Sequence, residues 1–296
     1  MLFQNPRVSY RKVHIFYKIY CFFSIVFVYN SNYERHKTIK SKLLLSEFRK
    51  KESSMKSNKL YQASTLQALA LGYTKPVVTV KELLEHGDTG LGTFESVDGE
   101  MIILDGVCYQ AKDDGSIVRS EDSAGVPFAV AGTLKDGKII KMDDMKDIEA
   151  IKTELTLCID LDFSLNSIHI ARIDGWFEKI HARAGAPYRS QHVSLKNILS
   201  KTQKDFSFEG LYGTLVCVYF PDYMDGINAS GWHMHFLSKD KKYGGHVFEA
   251  AIRSGECLLQ KMDRIDIQLP NDAAFDTYSL KEASKSEIEE VEQGNG

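Results

Sequence analysis

The chain has 296 residues, enough for one large domain or two, and its 43% apolar and 26% charged residues are those of a soluble globular protein. Its 37 basic against 40 acidic residues leave a net charge of −3, which gives no basis for nucleic acid as a partner. Five cysteines (Cys21, Cys108, Cys158, Cys217, Cys257) are odd in number and widely spaced, with no C-x-x-C pair. Cys108, Cys158 and Cys217 sit in apolar, strand-like runs, so reduced buried thiols in a cytoplasmic protein are expected rather than disulfides.

Residues 1–54 differ from the rest. "YRKVHIFYKIYCFFSIVFVYNSNYERHK" places basic residues before an apolar run at 19–29 that is short for a bilayer span, and no small-x-small cleavage site follows. The basic stretch "KTIKSKLLLSEFRKKESS" comes next, and the texture changes at Met55. Residues 1–54 are expected to lie outside the folded unit, either as a start placed too early or as a membrane-targeting or export extension. Residues 55–296 are expected to form the working region, in one or two subdomains.

From Ser64, "STLQALALGY" puts Leu66, Leu69 and Tyr73 on one helical face behind a serine cap. "TVKELLEHGD" reads as a helix with a Thr79/Glu82 capping box and Gly87 as its stop; His86 is expected at the helix end, satisfying local carbonyls. Asp-Gly pairs at 98–99, 105–106 and 114–115 divide short β-branched and aromatic runs into an antiparallel meander. "DDMKDIEAIKTEL" spaces Met145, Ile148, Ile151 and Leu155 as a helix, and "NSIHIARIDGWFEKIHAR" suggests a hairpin about Asp174-Gly175. "YGTLVCVYFP", "HVFEAAI" and "ECLLQKMDRIDIQLP" read as strands, and the acidic tail "SKSEIEEVE" as a helix. The sum is an α+β fold of mostly antiparallel or mixed sheets with a few helices, its metal site on strands of the C-terminal half.

That site is "GWHMHFLSKDKKYGGHV". On a strand, His233 and His235 leave one face while Trp232, Met234 and Phe236 pack on the other. A polar, glycine-ended turn returns His246 beside them. Three imidazoles with no fourth protein ligand in view suit an open catalytic metal site. The same spacing also suits two solvated histidines and a loop histidine. Arg183 shares a strand face with Lys179 and His181, opposite Ile180 and Ala182, and could equally be a solvated arginine. Glu100 closes an Asp-Gly turn, where an exposed carboxylate is ordinary. Glu292 follows Ile288 by one helical turn, on the inward face of the tail helix, whereas Glu287, Glu289 and Glu290 are expected to be solvated.

Taken together, "YQASTLQAL", "LLEHGDTGLGTFESVDGEMIILDGVCYQ", "KIHAR", "GWHMHFLSKDKKYGGHV" and "SEIEEVE", in this order, resemble the α-acetolactate decarboxylase family from about Leu60 to Glu292. Residues 1–54 have no counterpart there, and 189–210 fall in a region where members vary. The resemblance implies Zn²⁺ on His233, His235 and His246, with Arg183, Glu100, Glu292 and Thr93 completing the site. It further implies metal-dependent conversion of (S)-2-acetolactate to (R)-acetoin and carbon dioxide, with zinc stabilising an enediolate. A small-molecule substrate, a homodimer, a cytoplasmic location, and no membrane or nucleic-acid partner for the folded region are expected with it. A three-histidine zinc hydrolase or hydratase, or a non-enzymatic metal-binding protein, would carry the same three histidines.

A chain started at Met55 should fold and turn over acetolactate at the full-length rate. Purification of the two forms side by side, with circular dichroism and an acetoin assay, checks this; an unfolded short form would make the extension part of the core.

Overall fold

A computed structural model describes residues 58–189 and 192–280 of the chain. Residues 1–54, the "SEIEEVE" tail and with it Glu292 lie outside the described residues. Fourteen strands and four α-helices are present among those described. The first half runs β1 (Lys59–Ala63), α1 (Leu66–Ala70), β2 (Val78–Thr79), α2 (Val80–Leu84), β3 (Thr89–Thr93), β4 (Glu100–Leu104), β5 (Val107–Ala111), β6 (Ile117–Arg119), β7 (Gly125–Val126) and β8 (Phe128–Gly132). The second half runs β9 (Lys138–Lys141), α3 (Ile148–Asp162), β10 (Ile168–Gly185), α4 (Leu195–Thr202), β11 (Gln203–Phe220), β12 (Gly231–Ser238), β13 (Gly244–Met262) and β14 (Arg264–Gln268).

The strands form a seven-stranded sheet of order β14-β1-β8-β3-β4-β5-β6 and a five-stranded sheet of order β10-β11-β12-β13-β9. Every pairing is antiparallel except β1 with β14, so the expected mixed, mostly antiparallel α+β fold is the observed one. A long β10–β13 ladder closes the second sheet on itself.

Alternation along each strand sorts side chains into layers. In β4, Met101 and Ile103 join the apolar layer that α2 covers with Val80 and Leu83. Ile102 and Leu104 point the other way, into the layer shared with Val216, Val218 and Leu237 of the second sheet. Glu100 has their parity and therefore faces the second sheet. In β12, Met234 and Phe236 pack with Ile151, Leu155 and Ile159 of α3, and Phe177 meets Phe236 edge-to-face at 5.0 Å. His233 and His235 are left facing the first sheet.

The meander is as expected: Asp105-Gly106 joins β4 to β5, and the other Asp-Gly pairs lie in the turns before β4 and β6. The capping box of α2 is formed, with Thr79 Oγ1 accepting from Glu82 N at 3.3 Å and Glu82 Oε2 accepting from Thr79 N at 2.7 Å. Other local expectations are corrected. Thr65, not Ser64, caps α1, accepting from Ala68 N at 3.2 Å. His86 does follow the helix end as expected, its backbone N–H donating to Leu83 O at 3.1 Å, and its ring stacks flat on Tyr61, with centroids 3.8 Å apart. Cys158 belongs to helix α3. Met145 precedes α3 and bridges to Ile252 instead, because Asp147 is the residue whose side chain caps that helix.

The largest correction concerns Asp174-Gly175. There is no hairpin: β10 runs straight through, with Gly175 opposite Gly213 on one side and Gly255 on the other. A Cβ there would meet Ser254 O at 2.5 Å, so the glycine serves close strand approach, not a turn. "HVFEAAI" and "ECLLQKM" are likewise one strand, β13.

Gly175→Ala should therefore destabilise the protein by about 1–3 kcal/mol through overpacking. Urea unfolding measures it; a change under about 0.5 kcal/mol would mean that the strands separate there at little cost.

Candidate metal centre

Strand register assembles this site. His246 on β13 is the cross-strand partner of His235 on β12 and of Arg183 on β10, so these three occupy one row across three adjacent strands. Directly opposed residues share a face, and His233, two positions from His235, shares it too. The first sheet closes over that face with Glu100, whose own cross-strand partner is Thr93. Sheet-to-sheet packing thus brings residues more than a hundred positions apart into one buried cluster.

Arg183 reaches the row through an irregularity. In β10, Ala171, Ile173 and Phe177 carry odd numbers and face the α3 layer, whereas beyond Glu178 the even-numbered Ile180 and Ala182 do so. Glu178 falls between the pairs Phe177–Ile252 and Lys179–Ala251 without a partner of its own. This bulge inverts the alternation and turns Arg183 to the histidine side. Lys179 and His181 share its face as expected, but burial rises along it, from exposed Lys179 to Arg183 at 4%.

The imidazole nitrogens converge. His233 Nε2 lies 3.1 Å from His235 Nε2 and 3.0 Å from His246 Nδ1, and the last two are 3.3 Å apart. His235 Nδ1 is 2.8 Å from the carbonyl oxygen of Met101, which can only accept. The proton therefore sits on Nδ1 and the Nε2 lone pair points at the other two rings. Burial, then the nearby Arg183 cation, pushes the His233 pKa down to about 3. Burial, then His233, pushes His235 well below its usual value against the opposing Met101 bond. These rings are neutral at physiological pH, the state a metal ligand needs. A cation among the three nitrogens would take up one lone pair from each neutral ring. Tetrahedral zinc with Zn–N of about 2.0–2.1 Å sets ligand nitrogens roughly 3.3 Å apart, and the observed triangle needs only a few tenths of an ångström of adjustment to match. The three residues fit a metal ion.

Around them, Glu100 is 6% exposed, with Oε2 3.6 Å from His235 Nε2 and Oε1 3.7 Å from Arg183 Nε. Arg183 Nη1 donates to Gln203 Oε1 at 3.1 Å, and its guanidinium carbon lies 5.0 Å from the centre of the Phe248 ring. Thr93 Oγ1 donates its proton to Gly99 O at 2.8 Å, which leaves it an acceptor toward the site. A narrow cleft reaches these groups, with Thr93, Glu100, Arg183, His233 and His246 on its polar side. Leu69 of α1, Val97, Phe128 and Leu195 and Leu199 of α4 wall its apolar side.

The structure thus brings together His233, His235, His246, Arg183, Glu100 and Thr93, and Glu292 lies outside the described residues. Sequence reasoning passed over Gln203, Phe248, the Met101 carbonyl and the leucines of α4. Only the leucines carried a signal, since Leu195 and Leu199 are one turn apart behind the capping Ser194. His181, half-buried and bonded to Ser207 Oγ at 3.0 Å, takes no part.

A family profile described as Alpha-acetolactate decarboxylase matches residues 60–282. The Alpha-acetolactate decarboxylase of Methanosarcina mazei is 31% identical over 241 residues, covering 81% of this chain and 82% of the relative. That of Lactococcus lactis subsp. cremoris is 33% identical over 235 residues, covering 79% of this chain and 98% of the relative. The crystal structure of alpha-acetolactate decarboxylase from Bacillus subtilis strain 168 superposes with a TM-score of 0.75 at 30% identity, covering 79% of this chain and 99% of that one. Sequence and fold agree over far more than half the length, and the chain belongs to the alpha-acetolactate decarboxylase family.

Proposed function

We propose that this protein decarboxylates (S)-2-acetolactate to (R)-acetoin and carbon dioxide, with zinc as the ion on His233, His235 and His246. The observation that carries the reading is the single row that sets the Arg183 cation beside the buried imidazoles of His246 and His235, with His233 on the same face and Glu100 closing over it. The substrate is an anion whose carboxylate, tertiary hydroxyl and ketone stand on adjacent carbons. Breaking the bond to the carboxylate releases carbon dioxide and leaves its electron pair conjugated with the ketone; one proton delivered to carbon completes acetoin. A divalent ion bound here supplies the positive charge that stabilises that electron pair as it moves onto oxygen.

The chain's own groups do the rest. Arg183, fixed by Gln203, pairs with the substrate carboxylate and holds it in register for cleavage. Glu100, buried between Arg183 and His235, and Glu292 handle the proton that is delivered to the product carbon. Thr93 offers its oxygen as an acceptor to the substrate hydroxyl. The apolar wall of α1 and α4 takes the methyl groups and keeps water from the cleavage step.

The wider setting is proposed on the same terms. The protein acts as a homodimer on a small molecule in the cytoplasm, a compartment that suits the four free, buried thiols among the described residues. Among the described residues no helix is long and apolar enough to cross a membrane. The catalytic region is residues 55–296.

The purified protein should carry about one divalent ion per chain, and His233→Ala or His235→Ala should lose both ion and activity. Elemental analysis decides it; an active metal-free His233→Ala/His235→Ala variant would overturn the metal site.

Incubation with racemic acetolactate should yield acetoin and carbon dioxide in equal amounts. Arg183→Ala and Arg183→Lys should each lose on the order of a hundredfold in turnover while keeping the ion, since an ammonium cannot reproduce the planar bidentate contact. A lysine variant at near-normal rate would remove Arg183 from catalysis.

A further inference from the structure

Arg183 is held at one edge by Gln203, and at another its Nε faces Glu100 across 3.7 Å, too far for a hydrogen bond. The guanidinium carbon lies over the Phe248 ring, 5.0 Å from its centre. That ring comes from a further irregularity of the β10–β13 ladder. His181 pairs with Glu249 and the next residue, Ala182, pairs with Val247, so β13 carries one residue more than β10 and Phe248 has no cross-strand partner. The same ring meets His246 edge-on, with centroids 5.1 Å apart and planes 69° apart. A bulge that spends one residue to aim an aromatic ring at Arg183, beside His246 of the same row, is a directed feature.

We propose that Phe248 is a positioning residue for Arg183: its ring face fixes the height of the guanidinium, and so sets where the substrate carboxylate is held. The role of Arg183 rests on the decarboxylase reading above. The attraction depends on the ring's negative face, so an aliphatic side chain of similar bulk does not replace it, whereas other aromatics do.

The test compares Phe248→Leu with Phe248→Tyr and Phe248→Trp in zinc-loaded protein. Binding of the ketone-reduced analogue 2,3-dihydroxy-2-methylbutanoate, which keeps the carboxylate but cannot release carbon dioxide, is measured by calorimetry beside acetolactate turnover. Phe248→Leu should weaken the analogue roughly threefold to thirtyfold, the range of a partly desolvated cation–π contact, and retain its zinc. The tyrosine or tryptophan variant should recover most of that loss. In an Arg183→Met background, Phe248→Leu should weaken binding no further, which a purely structural role would not produce. Three results overturn the proposal: a leucine variant that binds like wild type, one that loses zinc, or an equal loss in the Arg183→Met background. Wild-type protein that binds the analogue but leaves acetolactate intact ends the decarboxylase reading and leaves Phe248 to be judged by binding; wild-type protein that does neither ends both.

Discussion

The β10–β13 ladder is the constraint on which this site depends. It closes the five-stranded sheet on itself, and at its far end makes His246 the partner of Arg183 while His246 still pairs with His235 on β12. One residue of slip would send a side chain to the opposite face, because strand alternation has a period of two. The apolar packing of Ala182, Val247 and Phe236 against the α3 layer therefore holds the functional row as firmly as any polar contact does. The core and the site are two faces of the same strands.

Burying such a row is costly. An arginine, a carboxylate and three imidazoles lie between two sheets at exposures of a few per cent or less, where a lone charge is strongly disfavoured. The charges offset one another in part. Glu100 faces both Arg183 and His235, Gln203 takes one guanidinium edge, and Met101 gives a backbone carbonyl to His235. The ring nitrogens of His233, His235 and His246 stay within 3.3 Å of one another, and a cation set among them would bind through their lone pairs. Burial also holds His233 and His235 below the usual histidine pKa, so the setting that disfavours a lone charge favours the neutral rings that a metal ion needs.

The two sides of the cleft come from different structural sources. Its polar side is built on central strands of both sheets, where backbone ladders hold positions closely. Its apolar side is built on the short helices α1 and α4 and on Val97 and Phe128, which pack together as a satellite cluster. Rigid groups for bond cleavage and a helical wall for the alkyl groups are a division of labour that strands and short helices each suit.

Several elements were legible because their causes are local. The capping box of α2 needs only Thr79 and Glu82 on one turn, the Asp-Gly turns need only a residue that tolerates positive φ, and the apolar alternation about His233 and His235 declares a strand with one polar face. The convergence of His246 on that pair was readable too, since a short glycine-ended turn leaves the returning strand few places to go. Gly175 misled because a glycine in an Asp-Gly pair has the same letters whether it turns the chain or lets Ser254 and Gly213 approach. Arg183 and Glu100 could not be told from surface charges, because burial is a property of what the other sheet lays over them. The three irregularities of the β10–β13 ladder, at Arg253, Glu178 and Phe248, leave no mark in the sequence of either strand: a bulge is a mismatch between partners, and it exists only once β10 and β13 are paired. The sequence by itself determined which residues could bind a metal and hold a charge, because that is side-chain chemistry. Only the tertiary structure decided that they meet, because facing depends on strand register, and register is set by pairing and packing across the whole fold.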